Sequence, residues 1–360
     1  MVVRVYLKQA WNLMKQNPLF STLYIVGTGI SIVMTMVIAI VYYVRLAPVY
    51  PETNRMRTLV VKSAKMTNDE STHSSNISYA MLKDWFYSLE SAEVSTGVSG
   101  TSYARVTNDK EEIPTYARYT DENFFRVFPL VFLEGKPFTE ADRRSGIHNV
   151  VLTDSYAQQL FGTTKGVVGK NFLMDYTNVK VVGVVKSGSF LTPDSYAQVY
   201  LPYSCRDGYD DEGSHWALGG YRVYILMKES KSVTDVQDEV LELVRKFNVS
   251  DMGDGWKLDL VGQPELYWHS TFRLWSNVAV DWGRVIWMFV GIFMVLLFVP
   301  AFNLSGMISA RMERQLPDLG IRKAFGASRR RLLVQIIWEN LLLTGLGTLL
   351  GLVIAWIVLA

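Results

Sequence analysis

The sequence predicts an α-helical membrane protein with a large extracytoplasmic α+β domain of two lobes, on three observations. Apolar residues make up 49% of the 360-residue chain and charged ones only 19%, an odd mixture for one soluble domain. The hydrophobicity is concentrated in three long runs rather than spread evenly. Between the first and second runs, residues 45–284 have ordinary polar composition and alternate between strand-like and helix-like patterns.

Residues 1–18 carry Arg4, Lys8 and Lys15 and no acidic side chain. "RVYLKQAWNLMKQ" (4–16) sets Tyr6/Leu7, Ala10/Trp11 and Leu13/Met14 on one helical face. It reads either as an amphipathic segment at the headgroup level or as an extension of the first span. The first span, 19–44, contains no Asp, Glu, Lys, Arg or His, and at about 1.5 Å per residue a helix of that length crosses a bilayer core. Its apolar core is too long for a signal peptide and lacks a small-x-small cleavage site, so it reads as an uncleaved anchor. The second span is 285–310, and the third is 332–360, uncharged from Asn340 onward.

Orientation follows from the distribution of basic residues. Besides 1–18, the segment 311–331 is rich in them: Arg311, Arg314, Arg322, Lys323, Arg329, Arg330 and Arg331 stand against Glu313 and Asp318. In 45–284 acidic side chains outnumber basic ones. The positive-inside rule therefore places the N-terminus and 311–331 in the cytoplasm and the large domain outside.

The two ends of that domain look alike. "MRTLVVK" (56–62) is strand-like and leads to "SYAMLKDWFYSLE" (78–90), where Met81/Leu82, Trp85/Phe86 and Leu89 recur at helical spacing behind a Ser78 cap. "YRVYILMK" (221–228) leads to "SVTDVQDEVLELVRKF" (232–247), with a Ser232/Asp235 capping-box start and Val236, Val240, Leu243/Val244 and Phe247 on one face. Together they predict a two-layer α+β lobe from about 45–102 and 218–265, with a mostly β lobe, 103–217, inserted between them.

Several chemistries lack their residues. "FGTTKGVVGKN" (161–171) offers Gly169-Lys170, but Thr164 stands where a phosphate loop needs Gly and Asn171 where it needs Ser or Thr. His73, His148, His215 and His269 are scattered, so metal ligation is not expected. "GDGW" (253–256) and "YDDEG" (209–213) lack the ligand spacing of a calcium loop. The single cysteine, Cys205, excludes an intrachain disulfide, and no nucleophile–base pair is recognisable, so a non-catalytic role is expected.

Tyr42, Tyr43 and Tyr50 lie near the outer end of the first span and Trp268, Trp275, Trp282 and Trp287 near that of the second, as in an interfacial aromatic belt. In the third span Gly345, Gly347 and Gly351 permit close helix contact, read as weak support for a subunit interface. Between spans two and three, Pro317 is expected to break the helix, with Asp318 in the first turn of a new one. Ile321, Ala324 and Phe325 form an apolar edge beside Arg322 and Lys323. Gly326 suits a left-handed helix end and Ser328 caps the next helix. This predicts a short cytoplasmic stub for a partner to dock on.

These residues carry a resemblance that covers essentially the whole chain. "DLGIRKAFGASRRRLLVQIIWE" (318–339), "FFRVFPLVFLEGKPFTEADRRSG" (124–146), "NVVLTDSYAQQLFG" (149–162), "VKVVGVVK" (179–186) and "NPLFSTLYIVGTGIS" (17–31) together resemble the MacB/FtsX-like permeases of ATP-binding cassette systems. The resemblance implies one span before a two-lobed periplasmic domain and three after it, so a fourth span is expected beyond Ala360 in a longer chain. It implies that Asp318, Gly320, Ile321, Arg322, Lys323, Ala324, Phe325, Gly326 and Ala327 dock on a separate cytoplasmic ATPase; Pro317 departs from the usual Arg. It implies a bacterial inner-membrane location, no cofactor on this chain (ATP and magnesium belong to the ATPase), and a second permease subunit, identical or different. A periplasmic adaptor, an outer-membrane channel and membrane lipid complete the implied partners, and nucleic acid is not among them. The function implied is conversion of ATP-driven motion into extrusion of a periplasmic substrate. A non-transport regulator of a periplasmic partner, or a sensor, stays open as the alternative.

Overall fold

The computed structural model describes residues 11, 15, 18–100, 102–108, 111–206, 208–209, 216–250, 255–326 and 328–359; most of the segment 1–18 lies outside them. They divide into two compact units, residues 44–281 and a helical unit from 1–43 and 282–360.

Helix α1 (Pro18–Leu46) opens on proline, whose missing N–H costs nothing in the first turn, and stops just before Ala47-Pro48, where the ring disfavours helical geometry. In the outer unit β1 (Thr58–Val61), β2 (Ala64–Thr67), β3 (Thr72–Ile77), α2 (Tyr79–Asp84) and β4 (Ala92–Ser99) come first. Ser78 caps α2 by accepting from the Met81 N–H at 3.0 Å.

The chain then crosses into a second sheet. It comprises β5 (Ser102–Asn108), β6 (Glu111–Thr120), α3 (Phe124–Val127), β7 (Phe132–Gly135), α4 (Glu140–Arg144), β8 (Asn149–Thr153), α5 (Asp154–Phe161), β9 (Asn171–Met174), β10 (Thr177–Val185) and β11 (Val199–Pro202). The return leg adds β12 (Leu218–Gly219), β13 (Tyr221–Met227), α6 (Val233–Val249), β14 (Lys257–Asp259) and β15 (Glu265–Leu266) to the first sheet. A reciprocal Ser232/Asp235 capping box starts α6.

The first sheet runs β14-β2-β3-β13-β1-β15, with β12 on β3 and β4 on β13. Val60 pairs with Tyr224 and Val61 with Val223 in antiparallel register. Because side chains alternate along a strand, Leu59, Val61, Val223 and Ile225 face the core under α2 and α6, with Met81, Leu82, Val236 and Val240. Val60, Val94, Val98, Tyr224 and Leu226 face a second core with Phe124, Phe125, Phe128 and Tyr200 of the inserted lobe. Burial on both faces explains why these strands are continuously apolar rather than alternating.

The second sheet runs β7-β10-β8-β11-β6-β5-β9, and β9 also pairs with β10, so six strands close on themselves. Closure removes the exposed edges that an open sheet would present. Its interior and α5 bury Val106, Val150, Leu152, Leu160, Val181 and Val199.

The two lobes meet at Asp121, which follows β6 and is fully buried. Its Oδ1 accepts from Thr96 Oγ1 at 2.6 Å and the Phe124 N–H at 3.1 Å. Its Oδ2 accepts from the Gly97 N–H at 2.9 Å and Tyr87 Oη at 2.5 Å. At Gly97 β4 packs tightly under α2, since a Cβ there would lie 2.2 Å from Leu82 Cδ2. Burial raises the Asp121 pKa and the Thr96, Tyr87 and Gly97 hydrogen bonds pull it back, leaving it at about 6.

Two rings expected in the interfacial belt have partners in this unit. Tyr50 Oη donates to the Lys186 carbonyl at 2.7 Å and accepts from the Val131 N–H at 3.2 Å, and Trp268 packs its ring on His269 at 4.0 Å. Tyr43, Trp275 and Trp287 remain exposed.

Among the described residues, Ser21–Leu46 and Ile336–Val358 are long and apolar enough to cross a membrane. A third apolar stretch, Trp282–Phe298, opens helix α7 (Trp282–Ala324), and α8 (Arg329–Leu359) completes the chain.

Replacing Asp121 with alanine strands buried donors and is expected to cost roughly 3 kcal/mol of stability. The folded-state pKa of about 6 lies above the ordinary 3.8, so the folded chain binds the proton more tightly and ionisation weakens folding as pH rises between those values. The penalty of D121A should therefore be larger at about pH 4.5 than at about pH 7.5, read by thermal unfolding of both detergent-solubilised chains across that range. A penalty that grows with pH would contradict this assignment.

Candidate coupling site

Helix α7 runs 43 residues without interruption, about 65 Å at the helical rise, and Pro317 does not break it. The expected separate stub is instead the last two turns of α7. Proline removes one intrahelical donor, leaving the Glu313 carbonyl without its usual partner, but the turns on either side retain theirs. Asp318 accordingly lies well inside the helix rather than in a first turn, and gains nothing from a helix N-terminus. The side chains of Asp318 and Arg322, and all of Ala327, fall outside the described residues.

The helix ends as the glycine predicts. Gly326 adopts a positive φ of 88°, the Phe325 N–H donates to the Ile321 carbonyl at 3.0 Å, and the Gly326 N–H donates to the Lys323 carbonyl at 3.1 Å. Ser328 intervenes before α8 begins at Arg329. Arg322 and Lys323 fall in the last turn, where positive charge complements the carbonyl end of the helix. Ile321 is 57% exposed and Phe325 89% exposed. Gly320, Lys323 and Ala324 are exposed as well, and a Cβ at Gly320 would meet nothing within 4 Å. The tip of α7 is thus an open apolar edge with the exposed Lys323 beside it.

The third-span glycines divide. A Cβ on Gly347 would lie 2.7 Å from Thr28 Cβ and one on Gly351 2.8 Å from the Gly29 carbonyl, whereas one on Gly345 would meet nothing within 4 Å. Gly347 and Gly351 therefore serve contact between α8 and α1 of the same chain. Leu343, Gly347, Gly351 and Ala355 are buried at intervals of four, and Ser21, Tyr24, Thr28 and Gly29 are buried on α1. Tyr24 Oη and Thr344 Oγ1 share a hydrogen bond of 2.9 Å along the same seam. The signal on the α1 side is "GTG" at 27–29, small residues inside the first apolar run.

The outer end of α1 is also tied down. Arg55 Nη1 donates to the Val44 carbonyl at 2.8 Å, so a guanidinium satisfies one of the carbonyls that a helix leaves orphaned. Arg55 is 4% exposed, pairs with Glu52, and lies over the Tyr267 ring at 5.1 Å. Glu52 accepts in turn from Ser195 Oγ of the inserted lobe at 2.7 Å. The chain from the α1 carboxyl end through Arg55 and Glu52 thus reaches both lobes of the outer unit. Sequence reasoning missed it because ion pairing of Glu52 with Arg55 inside "PETNR" looks like an ordinary polar turn.

A family model for the MacB-like periplasmic core domain matches residues 20–243, and one for the FtsX-like permease C-terminal region matches residues 277–360. The chain belongs to the ABC transporter permease family that combines these two regions. It is 25% identical over 237 residues to the pyoverdine export ATP-binding/permease protein PvdT of Pseudomonas entomophila, covering 64% of this chain and 34% of that one. It is 23% identical over 220 residues to the macrolide export ATP-binding/permease protein MacB of Bdellovibrio bacteriovorus, covering 60% and 32%. The chain therefore spans about a third of the length of these two relatives. Among solved structures, the periplasmic region of MacB from Actinobacillus actinomycetemcomitans aligns with 55% of this chain and 88% of its own, at 16% identity and a TM-score of 0.40.

The seam makes a prediction of opposite signs. Alanine normally stabilises an exposed helix relative to glycine by about 1 kcal/mol, so Gly345→Ala should raise the melting temperature slightly. Gly347→Ala and Gly351→Ala should instead cost about 1–3 kcal/mol through overpacking against α1. Thermal unfolding of the three variants in detergent checks this; equal effects at all three positions would remove the seam.

Proposed function

We propose that this chain is a non-catalytic permease subunit that receives ATP-driven motion from a separate cytoplasmic ATPase and transmits it to its periplasmic domain. The observation that carries this reading is the tip of α7, where Ile321 and Phe325 are 57% and 89% exposed and Lys323 is exposed with them. Apolar side chains flanked by like charges at a helix end are what a complementary protein groove buries. The residues assigned to ATPase docking are Asp318, Gly320, Ile321, Arg322, Lys323, Ala324, Phe325, Gly326 and Ala327.

The proposed route runs from that tip through the turn at Gly326 into α8, across the glycine seam to α1, and from Arg55 and Glu52 into both lobes. Closely packed small residues transmit displacement because backbones in contact leave no soft side chains to absorb it. The use we favour is export of a periplasmic substrate by a dimer, with an adaptor and an outer-membrane channel. The support for export is the similarity to the two relatives, a pyoverdine export protein and a macrolide export protein.

Ile321→Glu or Arg322→Glu should abolish co-purification with a co-expressed partner ATPase. Each should also return that ATPase to its uncoupled turnover rate while leaving the melting temperature of the permease unchanged. Retained co-purification with unchanged ATP turnover would sink the docking assignment.

A further inference from the structure

The outer unit contains a second feature that the coupling reading does not use, a cavity of about 380 Å³ whose wall carries Arg45, Arg55, Lys62, Arg222 and Arg273 with Asp194. Five cations and one carboxylate are an unbalanced lining. Asp194 is shared between Lys62 Nζ at 3.5 Å and Arg222 Nη1 at 3.1 Å. Arg55 and Arg273 pair with Glu52 and Glu265, carboxylates that are not part of the lining. Arg45, exposed in the last turn of α1, has no ion pair among the described residues. Even counting both outer carboxylates, positive charge exceeds negative by two.

Two further observations point to a ligand. The Nε atoms of Arg55 and Arg222 are buried with no hydrogen-bond partner among the described residues, although a buried donor left unpaired costs free energy. Burial would raise the Asp194 pKa, yet the charges of Lys62, Arg222 and Arg118 hold it well below the ordinary carboxylate range. The space is therefore strongly positive even with its own carboxylate ionised. Ser270 and Thr271 add hydroxyl groups to the wall.

We propose that this cavity binds a phosphate-type anion. Guanidinium groups present planar forks of donors that match phosphate oxygens, and several converging on one cavity favour phosphate over a monovalent halide. Arg45 lies at the end of the candidate spanning stretch Ser21–Leu46, which in a bilayer would put this wall at the headgroup level. The headgroup of an anionic phospholipid in the outer leaflet is the source within reach of that wall, and a free phosphate compound is the other source of the same chemistry. Occupancy would bridge the carboxyl end of α1 to Arg222 of the first sheet and Arg273 of the segment leading to α7.

The test uses the full chain. Its melting temperature is followed during titration with inorganic phosphate against chloride at matched ionic strength, and in nanodiscs of phosphatidylcholine with increasing phosphatidylglycerol. A saturable rise is expected, with a midpoint at least about tenfold higher in Arg45→Gln and Lys62→Gln, the loss expected for one charged hydrogen bond. Asp194→Asn, which removes the carboxylate from the wall, should lower the midpoint, a direction that mere damage to the fold would not produce. Arg245→Gln, on the exposed face of α6, is the equal-charge control and should leave it unchanged. A response confined to phosphatidylglycerol assigns the headgroup, and a response to inorganic phosphate as well extends the site to soluble compounds. No response to either probe, or the same midpoint in wild type, Arg45→Gln and Lys62→Gln, overturns the proposal.

Discussion

The outer domain depends on one buried carboxylate. Asp121 sits where the inserted β lobe leaves its own sheet, and its two oxygens collect donors from Thr96, Gly97, Tyr87 and Phe124. Thr96 and Gly97 belong to the first sheet, and Phe124 begins the short helix whose aromatic rings fill the space between lobes. A charged hydrogen-bond acceptor is directional, whereas an aromatic core would tolerate sliding. The carboxylate therefore sets the register of one lobe against the other, and the rings of Phe124, Phe125, Phe128 and Tyr200 supply the burial that holds it. Its neighbour Glu122 extends the polar joint through Arg143, which donates to Glu122 at 2.8 Å and to Tyr203 at 2.9 Å.

A second polar joint lies within the outer unit: Arg55 donates to the Val44 carbonyl, Glu52 pairs with Arg55, and Ser195 donates to Glu52. Buried ion pairs add little net stability, because desolvation offsets the attraction, but removing one member is costly. Such a joint resists being pulled apart in part and specifies a single geometry. Within the helical unit the corresponding device is apolar, a backbone contact across Gly29, Gly347 and Gly351. Lipid is as apolar as a leucine side chain, so two helices gain little by burying large groups and gain most by approaching closely.

These features differ in how far the amino-acid order reveals them. The apolar runs, the capped helices at Ser78 and Ser232 and the glycine at 326 are local, because span length, capping and positive φ depend on a few neighbouring residues. The motif around Ile321 is legible for the same reason. Pro317 was misleading because proline reports a local cost, while the helix on either side decides whether that cost is met by a break. Glycines at 345, 347 and 351 look equivalent in the sequence, and only the path of α1 separates the two in contact from the one that is open.

What the sequence by itself determined is the apolar runs long enough for membrane spans, the family and the apolar motif at 320–326. Each follows from composition, charge or a contiguous motif. What only the tertiary structure decided is the meeting of residues far apart in the chain. Asp121 reaches Thr96 across 25 positions, Glu52 reaches Ser195 across 143, and Lys62, Asp194 and Arg222 converge on one cavity. Ionic and hydrogen-bonding side chains carry no periodic signature, so nothing in their spacing announces a partner until the backbone has brought the two together.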